Sequence, residues 1–198
     1  MSTKNLLILV VVGILILGAV YVLGDKSAYP NPLTNTPEIN GEPTIQTYSS
    51  PEYKIAFDFS TKYLLLERDS GTPEIPIKSI LIIEDTKQNR DIAEGKLGET
   101  GEGPTSITVD IFTNTKDSSV EDWVKENTGW MTGGNAKNPI DIDGKSGLVY
   151  HWDGLYAGKS AVVVSGNNIY VFSVTWITPE DQILQDFQTL LSTVKFGD

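Results

Sequence analysis

The chain contains an unbroken apolar run from Leu6 to Leu23, with the sequence LLILVVVGILILGAVYVL. None of its 18 residues is charged. At about 1.5 Å per residue, a helix of this length reaches about 27 Å, which approaches the hydrocarbon thickness of a bilayer. We therefore predict that residues 1–24 form a single-pass transmembrane anchor in which lipid contacts residues 6–23.

A cleaved secretory signal is the alternative for this segment. Signal peptides have a shorter apolar core of about 7–15 residues and small residues before the cleavage site. The run is longer and is not followed by an Ala-x-Ala pattern, so the sequence favours an uncleaved signal anchor. Lys4 precedes the run, whereas Asp25 and Lys26 nearly cancel each other after it. The positive-inside bias then places the remainder on the extracytoplasmic side of the cell membrane.

The remainder divides into a linker and one domain. Proline fixes φ and removes a hydrogen-bond donor, so we predict an extended linker over residues 25–50, which holds four of the ten prolines: Pro30, Pro32, Pro37 and Pro43. Residues 51–198 are patterned as one domain, long enough to bury a core.

Composition limits the chemistry of this domain. Residues 25–198 carry 14 basic and 26 acidic side chains, a net charge of −12, which makes nucleic acid a poor partner. The chain has no cysteine, which excludes disulfides, thiol nucleophiles and thiolate metal sites. It also lacks Asn-x-Ser/Thr glycosylation sites, as is typical of a bacterial protein.

The C-terminal part of the sequence predicts a sheet. Period-two alternation indicates strands over 53–59, 63–67, 79–84 and 106–112, with a polar loop over 85–105. Asp143-Gly144 and Gly166-Asn167-Asn168 predict two hairpin turns. The strand after the second turn is apolar on both faces, so we expect a central antiparallel sheet with layers on both faces, in the α+β class.

Two helices are predicted around these strands. Ser118 and Glu121 have the spacing of a capping box before a short helix. Thr178 is the expected N-cap of the final helix, with Pro179 in its first position. This helix carries an apolar stripe that we expect to pack on the sheet: Ile183, Phe187, Leu190, Leu191 and Val194.

Three segments of the sequence resemble the PsbP-like family: the opening YKIAFDF, the hairpin IDIDGKSGLVYHW and the closing helix DQILQDFQTLLSTVKF. The resemblance implies an α-β-α sandwich around an antiparallel sheet. Plant members of this family are extrinsic subunits of photosystem II, and most bacterial relatives have no assigned activity. The resemblance identifies no site residues.

Few residues stand out as candidates for chemistry. His151 is the only histidine, and a partly covered strand histidine is favoured over a catalytic one paired with Asp153. Asp141-Ile142-Asp143-Gly144 lacks the spacing of a calcium loop and fits a hairpin turn better. We therefore predict no catalytic residue, no metal site and no cofactor. Trp130 and Tyr156, in glycine-flanked loops, are the candidate partner-binding residues.

Three functions are consistent with these observations. The leading hypothesis is a membrane-anchored, extracytoplasmic, non-enzymatic domain that contacts a protein or a small ligand. The second is an accessory subunit of a membrane protein complex, whose anchor makes the specific contacts. The third is a hydrolase that uses paired carboxylates such as Glu84 and Asp85.

Overall fold

The computed structural model of the chain describes residues 44–69, 76–96, 103–128 and 137–197. These residues contain ten strands: β1 (Ile45–Ser50), β2 (Ile55–Ser60), β3 (Tyr63–Asp69), β4 (Lys78–Glu84), β5 (Ser106–Thr113), β6 (Asn138–Ile142), β7 (Lys145–Asp153), β8 (Ala157–Ser165), β9 (Asn168–Trp176) and β10 (Lys195–Phe196). They also contain three helices: α1 (Lys87–Ala93), α2 (Val120–Thr128) and α3 (Ile183–Thr193).

Seven strands form one large sheet in the order β3-β4-β5-β9-β8-β7-β6, and every neighbouring pair is antiparallel. A second sheet has the order β1-β2-β10, also antiparallel. The predicted antiparallel α+β architecture is therefore confirmed, although the strands divide between two sheets.

Both predicted hairpin turns are present. Asp143 and Gly144 join β6 to β7 with φ angles of 51° and 73°, the left-handed conformation that a two-residue hairpin loop requires. Gly166 and Asn167 join β8 to β9, and Gly166 has a φ of 58°. Local turn chemistry thus fixes the pairing register of four strands in the large sheet.

One face of the large sheet packs against α3, and we call it the α3 face. Helix α3 also contacts β2 of the small sheet, so both sheets contribute to this core. The predicted apolar stripe of the helix is buried, with Phe187 fully inaccessible to solvent. On β9, this core takes Tyr170, Phe172 and Val174, the alternate residues predicted to share a face.

The opposite face, called the α2 face, packs against helix α2 through β7 and β8. Its buried residues are Val124, Tyr150, Val162, Ile169 and Val171. Polar side chains accompany them: the Trp152 indole Nε1 donates a hydrogen bond to Ser160 Oγ at 2.9 Å, and Ser160 Oγ lies 2.8 Å from Ser173 Oγ.

The Trp152 indole also explains a glycine in β8. Gly158 lies directly opposite Trp152 in the register of β7 and β8. A Cβ atom at position 158 would lie 2.2–2.4 Å from the indole atoms, closer than van der Waals contact allows. The missing side chain therefore lets the aromatic ring lie across the neighbouring strand.

The structure differs from the sequence expectations at the start of the domain. The predicted linker extends to residue 50, whereas Ile45–Ser50 forms β1 and pairs along its length with β2. Tyr48 anchors this strand, because its buried ring stacks on Phe57 at a centroid distance of 5.0 Å. The domain therefore begins at least six residues before the predicted boundary at residue 51.

The polar segment 85–105 was expected to be a loop, but Lys87–Ala93 forms helix α1. The Thr86 side chain accepts a hydrogen bond from the Asn89 backbone N–H, which caps the helix. Arg90 adds a bidentate ion pair with Asp85, at 2.5 and 2.6 Å. Local capping and charge pairing thus stabilise a helix that lacks a long apolar stripe.

Both predicted helix starts are displaced. Helix α2 is capped by Ser119, whose hydroxyl accepts from the Asp122 backbone N–H at 3.1 Å, one residue after the predicted Ser118 cap. Helix α3 begins at Ile183, because Thr178 and Asp181 instead close a separate turn. The Asp181 carboxylate accepts from the backbone N–H of Thr178 at 3.1 Å within that turn.

The predicted anchor over residues 1–24 lies outside the described residues. Within the described ranges, no helix is both long and apolar enough to cross a membrane.

Candidate functional site

An open cleft of about 400 Å³ lies on the α3 face, between the start of α3 and the ends of β7, β8 and β9. Pro179, in the turn before α3, borders it. Strands and helix together supply its main lining residues: His151, Lys159, Trp176, Leu184, Gln185 and Gln188.

Strand register brings the cleft's two basic side chains together. His151 in β7 lies directly opposite Lys159 in β8, so the two side chains project from the same face. Lys159 in turn lies opposite Val174 in β9, two residues before Trp176. The Trp176 ring meets the His151 ring edge-on, with a centroid distance of 6.2 Å and an interplanar angle of 90°.

The ammonium group of Lys159 is half-buried and has no hydrogen-bond or ion-pair partner in the described part of the chain. Burial lowers its pKa, because removal from water disfavours the charged form. None of the described residues that line the cleft is acidic. The cleft therefore presents a cation without a countercharge.

Lys78 in β4 is a buried lysine whose charge is compensated, in contrast to that of Lys159. Its Nζ forms ion pairs with Glu67 and Asp69, the latter at 3.1 Å. Burial acts to lower the pKa of Lys78, but hydrogen bonds and charge attraction from the two carboxylates offset it and raise the pKa overall. Lys159 lacks such compensation, which distinguishes the cleft from an ordinary ion-pair network.

Two large apolar side chains are exposed at the same end of the large sheet as the cleft. Leu155, in the loop between β7 and β8, is 51% exposed, and Ile177, directly after β9, is 71% exposed. Tyr156, one of the two predicted partner-binding residues, is half-buried in that same loop. The other, Trp130, lies outside the described residues. Tyr156 is not among the residues that line the cleft, and its predicted role in partner binding stays a prediction, as does that of Trp130.

The paired carboxylates of the hydrolase hypothesis have different surroundings. Arg90 forms hydrogen bonds to both carboxylate oxygens of Asp85, whereas Glu84 is exposed at the end of β4.

Asp143, considered for calcium, contacts the C-terminal strand instead: its carboxylate lies 2.7 Å from Lys195 Nζ and accepts from the Phe196 backbone N–H at 2.9 Å. These contacts lower the pKa of Asp143. No group of three metal-binding side chains occurs within the described ranges.

Lys159 was not singled out from the sequence. In the segment AGKSAVVV, a lysine in an alternating strand is typical of a solvent-facing position. Its role depends on the register with β7 and on where α3 packs. The signal that could have found it is the strand pairing itself, which sets Lys159 opposite the only histidine.

Comparison with known proteins identifies the fold. The sequence matches no protein-family profile and no curated protein. The solution structure of cyanobacterial PsbP (CyanoP) from Synechocystis sp. PCC 6803 matches with a TM-score of 0.50 and 14% sequence identity, covering 83% of this chain and 99% of that one. A crystal structure from Bacteroides thetaiotaomicron VPI-5482 gives a TM-score of 0.47 and 12% identity, covering 77% of this chain and 48% of that one.

The molecule is thus a sheet-rich α+β protein built from antiparallel sheets. Its fold is PsbP-like, as the resemblance in the sequence predicted. At 14% identity, this likeness describes the fold and assigns no activity to the cleft.

Proposed function

We propose that this chain is a membrane-tethered binding domain that faces away from the cytoplasm and acts without catalysis. In this proposal residues 1–24 span the membrane, and an α-β-α sandwich carries the binding surface on the far side. The PsbP-like fold supports the sandwich, with α3 on one face of the large sheet and α2 on the other.

The observation that carries the binding function is the uncompensated Lys159 in the cleft. A cation that loses water without gaining a partner costs free energy, and a bound anion would recover part of that cost. The cleft volume of about 400 Å³ lies within the range of about 300–1,000 Å³ that is typical of small-molecule sites. His151 and Trp176 add polar and aromatic groups that orient a ligand.

The tether is tested by fractionation of cells that express the full chain. We expect the intact polypeptide in the membrane pellet after an alkaline carbonate wash, and we expect external protease to digest the domain in spheroplasts. The matched variant carries Ile14→Arg and Leu15→Arg, each of which costs about 2.5–3.5 kcal/mol at the centre of a membrane helix. This variant should move to the supernatant. Recovery of the intact unmodified chain in the supernatant would contradict the proposal.

A second candidate function is an accessory subunit of a membrane complex. In this candidate the apolar run Leu6–Leu23 makes the specific contacts, by packing against membrane helices of the partner as well as against lipid. Replacing residues 6–23 with an unrelated apolar helix separates the two candidates. If function survives the replacement, the outer domain acts; if function is lost while localisation is retained, the anchor makes the specific contacts.

A further inference from the structure

We infer that the cleft binds a small organic anion, with its charged oxygens at Lys159 and a flat ring against Trp176 and Leu184. This inference rests on the proposed binding function and names its ligand class. Aryl carboxylates and aryl phosphates have the required chemistry.

The charge distribution is the first observation that favours an anionic ligand. The chain has a net charge of −11, yet the described residues that line the cleft include a lysine, a histidine and no acid. Elsewhere several basic side chains are paired with acidic ones, as Lys62 is with Asp186 at 2.6 Å. A local cationic site on an acidic surface favours an anion at that point, and a charge-assisted hydrogen bond to oxygen would replace the water that Lys159 has lost.

The shape of the cleft carries the second step. The Trp176 and His151 rings meet edge-on, and Leu184 and Pro179 add apolar surface from the helix side. A planar ring packs against such an apolar surface with little loss of conformational entropy. A compact inorganic ion would leave most of the cleft occupied by water.

Two glutamine side chains are the third observation, because they can donate hydrogen bonds to the ligand. Gln185 and Gln188 are three residues apart on α3, so both amides lie along the same side of the helix. Amide groups donate hydrogen bonds without adding charge, and they discriminate among oxygen-bearing groups. The set of one ammonium, one imidazole and two amides suits an oxyanion and offers no carboxylate for a metal cation.

The test titrates the full chain in an uncharged detergent with phenyl phosphate. Binding is followed by the NMR signals of the Trp176 indole and the His151 ring. Three control compounds are titrated in the same way. Phenol has the ring of phenyl phosphate without its charge, inorganic phosphate has the charge without the ring, and glycerol 3-phosphate resembles a lipid headgroup. We expect phenyl phosphate to bind at least tenfold more tightly than each of these three compounds.

Three variants test whether Lys159 supplies the positive charge that binds the phosphate. Lys159→Gln should weaken phenyl phosphate at least tenfold, equivalent to about 1.4 kcal/mol. Lys159→Arg should retain binding within about threefold, because the guanidinium group keeps the charge. Lys145→Gln removes an exposed lysine at the other end of β7 and should change the affinity less than twofold. Circular dichroism melts of each variant verify that the fold is intact.

Several outcomes would overturn the inference. Equal binding of phenol and phenyl phosphate would show that charge has no role, and equal binding of glycerol 3-phosphate would point to a lipid headgroup. Similar losses in the Lys159→Gln and Lys145→Gln variants would show a non-specific charge effect. Absence of phenyl phosphate binding at millimolar concentration would also overturn it, whereas the fractionation experiment tests the membrane tether independently of this result.

Discussion

The two faces of the large sheet hold unequal cores. Among the described residues, the hydrophobic cluster on the α3 face contains twenty buried residues from both sheets and the C-terminal helix region, whereas the cluster around α2 contains five. Buried or half-buried polar pairs accumulate on the second face, including Ser160 with Ser173 and Ser79 with Asp110. The difference shows that one face supplies most of the hydrophobic stabilisation and that the other tolerates polar groups because they hydrogen-bond one another.

The largest expected effect tests the α3 face. Phe187→Ala removes a fully buried ring from the centre of this core, and we expect the free energy of unfolding to fall by about 3–5 kcal/mol. Urea melts followed by circular dichroism measure the loss. Gln188→Ala, at the exposed neighbouring position, should change stability by less than about 0.5 kcal/mol. A loss below about 1 kcal/mol for Phe187→Ala would show that α3 is not the main source of stability.

The next effect tests the α2 face in the same way. Val124 lies on α2 and is fully buried against the large sheet, and Val124→Ala deletes two methyl groups. We expect a loss of about 2 kcal/mol, smaller than for Phe187 because less apolar surface is removed. Lys125→Ala is the exposed control on the same helix. If Val124→Ala costs more than Phe187→Ala, the ranking of the two faces is wrong.

The smallest effect concerns Asp110 on the α2 face. Its Oδ1 accepts a hydrogen bond from Ser79 Oγ at 2.5 Å, and burial raises its pKa from 3.8 to about 6. A carboxyl group with a raised folded pKa stabilises the fold fully below pH 4 and loses this contribution as the pH rises through 6. Asp110→Asn removes that loss, because the amide stays neutral and still accepts from Ser79.

We therefore expect Asp110→Asn to be more stable than the unmodified chain at pH 7 by about 1–2 kcal/mol, after allowance for partial solvent screening. The advantage should shrink as the pH falls from 6 to 4. Because the comparison is the difference in unfolding free energy between the two proteins at each pH, the contributions of all other titrating groups cancel. A constant difference across this range would show that Asp110 does not titrate between pH 4 and 6.

The elements that the sequence predicted correctly are those whose signals are local. Asp143-Gly144 and the glycine at 166 specify turns by their own backbone conformations, and the stripe around Phe187 specifies a helix face. Strand β1 was missed because only Tyr48 of IQTYSS is buried, so no apolar alternation marks it. Helix α1 was missed because capping by Thr86 and the pairing of Arg90 stabilise it instead of an apolar stripe.

The candidate site was predictable only in part, and for a related reason. His151 stood out as the single histidine, and Tyr156 as an aromatic in a glycine-flanked loop. The relation of His151 to Lys159 and Trp176 depends on strand register and on the packing of helix α3, which begins six residues after Ile177. Long-range packing of this kind leaves no short-range pattern in the sequence.

The small sheet imposes an order on folding. Its third strand, β10, pairs Lys195 with Ala56 and Phe196 with Ile55, so it joins segments about 140 residues apart. During synthesis β1 and β2 leave the ribosome early but must wait for nearly the whole domain before their outer partner exists. Until then the free edge of β2 offers unpaired backbone groups to any neighbouring strand, so incorrect strand pairing is the hazard of that interval.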